Sequence, residues 1–219
     1  MSASSAYPAR PSAPAGLPAV RAAVVAVLGA WLAAVALLGR ARAFDAPPGT
    51  PPLAIVAGVF APLAVFFAAL ALSKGFRAWV LALDPRVTAA LQAWRFAGFG
   101  FLALYAHDVL PASFALPAGL GDMAIALAAP WILARLLREP GFVARPAYVA
   151  WNVLGILDLG VAVSLGGLGA LAATGAPGEV TTGPMAHLPL LLIPAYFVPI
   201  FVMLHVAALM QAARLREAA

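Results

Sequence analysis

The sequence predicts an all-α, polytopic membrane bundle: six transmembrane helices, one short interfacial helix, and both termini on the cytoplasmic side. Three observations carry this. Of 219 residues, 64% are hydrophobic and 10% charged, whereas a soluble domain carries roughly 25% charged residues. The mean hydropathy is +0.99. Apolar runs of about 20 residues, the length that crosses a hydrocarbon core about 30 Å thick, recur along the chain.

Taken in order, residues 1–18 are rich in Ser, Ala and Pro. They lack the basic, apolar and small-residue succession of a cleaved signal peptide, so a disordered tail is expected. The membrane domain is expected over residues 19–213, followed by a short basic tail over 214–219. Span one runs from Val20 to Gly39 and stops at Arg40 and Arg42. The proline-rich turn from Pro47 to Pro52 opens span two, Pro52 to Ser73. Lys74 to Leu83 is too short to cross, and Phe76 and Trp79 beside Lys74 and Arg77 fit a helix lying in the interface. Asp84-Pro85 reads as an N-cap followed by a first-turn proline, starting span three, Pro85 to His107. Span four covers Phe114 to Ala134, with Pro117, Gly119 and Gly121 predicting a broken outer third. Span five covers Ala147 to Leu168, and a Gly-rich loop leads to span six, Leu188 to Met210, where Pro194 and Pro199 predict a kink.

Basic residues set the orientation. One side collects ten, namely Arg10, Arg21, Lys74, Arg77, Arg86, Arg135, Arg138, Arg145, Arg214 and Arg216, against two, Arg40 and Arg42, on the other. The side with ten is expected to be cytoplasmic, in the inner membrane of a bacterium. The +5 net charge is thus spread over span ends rather than gathered into a patch, and no nucleic-acid partner is expected. The expected partners are the bilayer and, through the nearly pure apolar spans one and two, a second copy or another membrane protein.

Several chemistries are excluded by composition. With no cysteine, disulfides, thiolate metal sites and cysteine nucleophiles are absent. No lysine lies inside a span, which removes a retinal Schiff base. There is no GxSxG elbow, P-loop or dinucleotide-binding fingerprint.

What remains is a set of polar residues inside apolar runs. A guanidinium stays charged and needs a partner or water in hydrocarbon, where leaving it alone costs about 3 to more than 10 kcal/mol. Arg95 sits in span three, Asp122 in span four, Asn152 and Asp158 in span five, His205 in span six, and Gln92 one turn before Arg95. At about 1.5 Å per residue, Arg95 lies ~14 Å and Asp158 ~15 Å into their spans. An Arg95–Asp158 pair follows, flanked by Gln92 and Gly98 on one helix and by Trp151, Gly155 and Ala162 on the other. A structural ion pair between two helices explains it as simply as a functional one. Asp122 is left as the surplus acid, either lining a cavity beside a broken helix or capping an outer helix end. Asn152 suits interhelical hydrogen bonding, and His205 suits packing or, next to a carboxylate, proton shuttling.

His107, Asp108 and His187 fall at the outer surface. No cofactor is predicted. These three are where a divalent metal or a haem would bind if there were one, but no HxxxH or HExxH spacing accompanies them, and interfacial solvation accounts for them better. An internal repeat is also visible. Ala93-Trp94-Arg95-Phe96-Ala97-Gly98 and Ala150-Trp151-Asn152-Val153-Leu154-Gly155 share an AWxxxG frame, and spans four and six end in related basic tails.

The leading functional expectation is a small-solute or proton-coupled transporter with its site among Arg95, Asp122, Asp158, Asn152, His205 and Gln92. The alternatives are a membrane-embedded enzyme on a lipid or isoprenoid, and a non-catalytic subunit or assembly factor whose polar cluster is a closed network.

Overall fold

A computed structural model describes residues 17–217. The tail expected over 1–18 therefore lies, but for its last two residues, outside the described residues. The protein is all-helical, with six helices long and apolar enough to cross a membrane. Large apolar side chains such as Leu53, Phe60, Val65, Trp94, Leu127, Trp131 and Leu157 point outward. Water would not tolerate such a surface, but hydrocarbon requires it.

Helix α1 spans Leu17–Arg40 and α2 spans Leu53–Leu72. The short α3, Lys74–Leu81, starts where the Ser73 hydroxyl accepts from Phe76 N at 3.2 Å. Span three, Pro85–Ala106, has three parts. Helix α4, Pro85–Gln92, begins with the predicted cap, Asp84 Oδ1 accepting from Arg86 N at 2.9 Å. A tighter 3-10 stretch, Ala93–Gly98, follows, and then α5, Phe99–Ala106. Helix α6 spans Ala112–Arg138 and α7 spans Pro146–Ala172. The last span opens with a π-helical turn, Ile193–Phe197, and continues as α8, Val198–Glu217.

Two expectations need correction here. Span four is not broken: α6 is one continuous helix that takes Pro117 and Pro130 in its stride. The irregular backbone lies in span three, at the 3-10 stretch carrying Arg95, and at the start of span six, where Pro194 and Pro199 point to one. The second of these has a clear cause. Pro199 has no N–H to offer the carbonyl of Ala195 four residues earlier. Trp31 Nε1 of α1 donates to that carbonyl at 2.9 Å, which satisfies it and anchors α1. The basic tail expected over 214–219 is helical as far as Glu217.

Span three, α6, α7 and α8 form a closed ring, each packed on the next and α8 returning to α4. Helix α6 makes its most extensive contacts with the 3-10 stretch. Helix α2 packs on α3, α8 and the π turn, outside the ring. Helix α1 rests on α3 and the π turn, and only Val35 and Gly39 of its described residues are buried. At the end of the ring rich in basic residues, Ile132, Leu136, Phe142, Tyr148, Trp151 and Ala208 form an apolar core. At the opposite end Phe101, Leu110, Phe114, Ala118 and Met185 form another. The polar residues lie between the two.

The loop after α7 is held by one side chain. Glu179 accepts from Thr174 N, Thr174 Oγ1 and Gly175 N, each at 2.9 Å from Oε2. These donors hold its carboxyl below the usual glutamate range, so this clasp persists at neutral pH and is lost only as pH falls through that lowered value. The loop leads to Thr182 and His187, which border the cavity described next.

Candidate functional site

The site is built from one residue of the 3-10 stretch, one of α6, three of α7 and one of α8. Arg95 side-chain exposure is 0%, yet its guanidinium is engaged on every side. Nε donates to Asp122 Oδ1 at 2.7 Å. Nη2 donates to Asp158 Oδ2. Nη1 donates to Gly155 O at 3.3 Å and faces His205 Nε2 at 3.2 Å. The expected Arg95–Asp158 pair is therefore present, and Asp122 lies beside it rather than at a helix end. Arg95 bridges both carboxylates, which keep 15% and 16% side-chain exposure and so retain access that the arginine lacks.

Hydrogen-bond chemistry fixes the state of His205. A guanidinium donates and cannot accept, so His205 Nε2 must carry the lone pair. Its proton is then on Nδ1, which donates to Asn152 Oδ1 at 2.8 Å. Asn152 Nδ2 in turn donates to Tyr148 O at 2.8 Å, leaving its amide one orientation. The imidazole is thus neutral, and it faces a cation rather than the carboxylate that a shuttling role required. In this arrangement it links Arg95 to Asn152.

Glycines make the arrangement possible. A Cβ at Gly121 would overlap the Asp158 carboxylate, and one at Gly155 would overlap the His205 ring. Gly119 brings α6 against Gly98 O, 2.9 Å from where its own Cβ would be. The residues that seemed to break span four are a smooth floor on which charged side chains lie. The two AWxxxG segments behave alike in this respect. Gly98 lies against Asp122 of the next span and Gly155 against His205 of the next span, while Arg95 and Asn152 bond those same two residues. The tryptophans differ: Trp94 is 75% exposed, whereas Trp151 is buried and donates to Ile125 O at 3.2 Å.

Beyond the cluster lies a cavity of about 330 Å³. Its walls come from α2 (Ile55, Val56), α5 and α6 (Phe101, Phe114), α7 (Val163, Gly167) and the last span (Ile193, Val198). Asp45 and His187 border it at the end where the α1–α2 loop lies, and Asp122 lines it at the level of the cluster. Asp122 is therefore both a ligand of the guanidinium and part of the cavity wall; Asp158 is not among the lining residues. On the opposite side of Arg95, the ring is filled by buried polar groups: Gln92, Asn152, Tyr148 and Thr88. Gln92 Nε2 reaches Phe201 O at 3.4 Å. The Tyr148 hydroxyl, with Thr88 and Asn152 as polar neighbours, has no partner within hydrogen-bonding geometry.

His187 Nε2 pairs with Asp45 Oδ1 at 3.0 Å. Asp108 adopts the left-handed conformation, φ 53°, in the turn after span three, a turn role that suits a short polar residue. Among the described residues no three His, Asp or Glu side chains stand close enough to share a metal ion. Three features escaped sequence reasoning: the cavity, the Asp45–His187 pair and the buried Tyr148–Thr88 group. The first two depend on the α1–α2 loop folding back over the ring, for which the sequence carries no local signal.

No curated protein and no solved structure matches the chain. One family model does, over residues 50–213, a stretch that runs from α2 into the last turns of α8 and takes in every residue of the buried cluster while leaving out α1. The chain accordingly belongs to the family described as "Domain of unknown function (DUF8737)".

Proposed function

We propose that this integral membrane protein is a small-solute carrier, with Arg95, Asp122 and Asp158 as the binding centre and the cavity as the route to it. The carrying observation is the double position of Asp122, bonded to Arg95 and exposed in the cavity wall. A purely structural ion network would be closed on all sides, and this one is open on one. The charge count supports coupling to protons. One guanidinium faces two carboxylates and a neutral imidazole, a surplus of one negative charge that a hydrocarbon-flanked site holds only with a proton or another cation. Proton uptake or release at the acids then becomes linked to whatever enters the cavity. The distribution of basic residues supports an orientation with both termini in the cytoplasm and the Asp45–His187 mouth outside.

The test is a proteoliposome with a pH-sensitive dye trapped inside, challenged with a panel of cationic, neutral and anionic small solutes. The wild type gives a solute-evoked change in internal pH, and Asp122→Asn and Asp158→Asn, checked for intact folding by circular dichroism and size exclusion, lose it. An equal signal in both variants, or none from any solute with the wild type, counts against the carrier.

A further inference from the structure

The composition of the cavity wall narrows what it can hold. We infer that the cavity binds an amphiphilic organic cation, its positive head at Asp122 and its apolar part between the phenylalanines and α7. The ionisable residues that line it are Asp45, Asp122 and His187; no lysine or arginine is among them. Asp45 is engaged by His187 and, at 3.7 Å, by Arg42, so the acid left in the wall to face an incoming charge is Asp122. At Asp122 the local charge is negative even with Arg95 counted, because Asp158 shares the same guanidinium. An anion entering from the cavity would meet this surplus in a medium of low dielectric, where like charges repel strongly. A cation meets the opposite.

The remaining wall selects for apolar bulk. Its lining is mainly apolar, with Phe44, Ile55, Val56, Phe101, Phe114 and Val163 among it. The rings of Phe101 and Phe114 pack edge to face at 5.4 Å, and aromatic rings of this kind accommodate both alkyl groups and the rim of an organic cation. A small inorganic cation has no use for such walls and would lose hydration that they cannot replace. The volume, about 330 Å³, lies at the low end of the range for small-molecule pockets. It suits a short-chain alkylammonium rather than a full lipid.

This inference uses the same site as the carrier but requires binding alone, not movement. It is tested with the full chain in lipid nanodiscs, measuring equilibrium binding of radiolabelled octyltrimethylammonium after subtraction of empty nanodiscs. Octanesulfonate and nonanol serve as anionic and neutral competitors. Two variants act on separate features. Asp122→Asn removes the charge. Gly167→Phe fills the cavity without touching the cluster, since a Cβ at Gly167 meets nothing within 4 Å.

Saturable binding by the wild type is expected, weakened about tenfold or more in each variant, about 1.4 kcal/mol or more. Neither octanesulfonate nor nonanol should compete at equal concentration. Equal competition by either, or unchanged affinity in Gly167→Phe, overturns the inference, and the second result stands even if Asp122→Asn fails to fold. Binding without solute-evoked flux would overturn the carrier and leave the cation site intact. Flux of some solute with no ammonium binding would do the reverse.

Discussion

Replacing Arg95 by methionine is expected to cost about 3–5 kcal/mol of stability, the usual penalty for removing one partner from a buried ion pair. The penalty comes from what is left behind: Asp122 and Asp158 would face each other with no cation between them, and His205 Nε2 and Gly155 O would lose their donor. The triple variant Arg95→Met/Asp122→Asn/Asp158→Asn removes those charges as well and should recover more than half of the loss. Thermal unfolding in mild detergent, compared across the single and triple variants, checks this. If the triple variant were no more stable than Arg95→Met, the cost would come from lost packing around the arginine stem rather than from unpaired acids.

The second large effect is expected at Gly121. A Cβ there overlaps the Asp158 carboxylate, so Gly121→Ala must push Asp158 away from Arg95 or push α6 away from α7. Overpacking of this kind costs about 1–3 kcal/mol, and any weakening of the ion pair adds to it. Gly160→Ala, on the exposed face of α7 with nothing within 4 Å of the new Cβ, is the matched control. It should be neutral or stabilising by about 0.5–1 kcal/mol through helix propensity alone. Equal melting temperatures for the two variants would contradict the role assigned to Gly121.

These effects show which parts of the molecule a sequence can disclose. The six spans and the Asp84 cap were legible because each rests on local composition: length of apolar run, a capping side chain, a first-turn proline. The level match of Arg95 and Asp158 was legible because helical rise turns sequence position into depth. For Asp122 the sequence leaves two positions open, a cavity wall beside a broken helix or, if the helix begins near Gly119, an outer helix end; it lines the cavity, but from an unbroken helix. The helix starts at Ala112, so Asp122 is ten residues in, about 15 Å deep. The same glycines that weaken a helix in water make room in a bilayer for a neighbouring backbone or carboxylate.

His205 illustrates a second limit. Its depth was plain, but its chemistry depends on which group faces Nε2, and that is set by how α8 packs on α7 and span three. The cavity is further still from local sequence. Phe44 and Asp45 of the α1–α2 loop and Ile55 and Val56 of α2 belong to the part of the chain expected to face a partner, and they close the cavity by tertiary contact. The pairing of His187 with Asp45 joins residues 142 positions apart.

The carrier requires an open route from one end of the bundle to Asp122. The protein lacks cysteine, so single cysteines can report on that route without background. Ala46→Cys marks the mouth, Val163→Cys the wall and Leu159→Cys the position next to Asp158; all three replaced residues line the cavity. Ala208→Cys marks the buried core at the other end as a control. In nanodiscs, a membrane-impermeant cationic thiol reagent is expected to modify positions 46, 163 and 159 and to spare 208, with the Gly167→Phe background slowing the reaction at 159 but not at 46. Modification at 46 alone, with 163 and 159 as unreactive as 208, would mean that the route is closed and that the Arg95 network is structural.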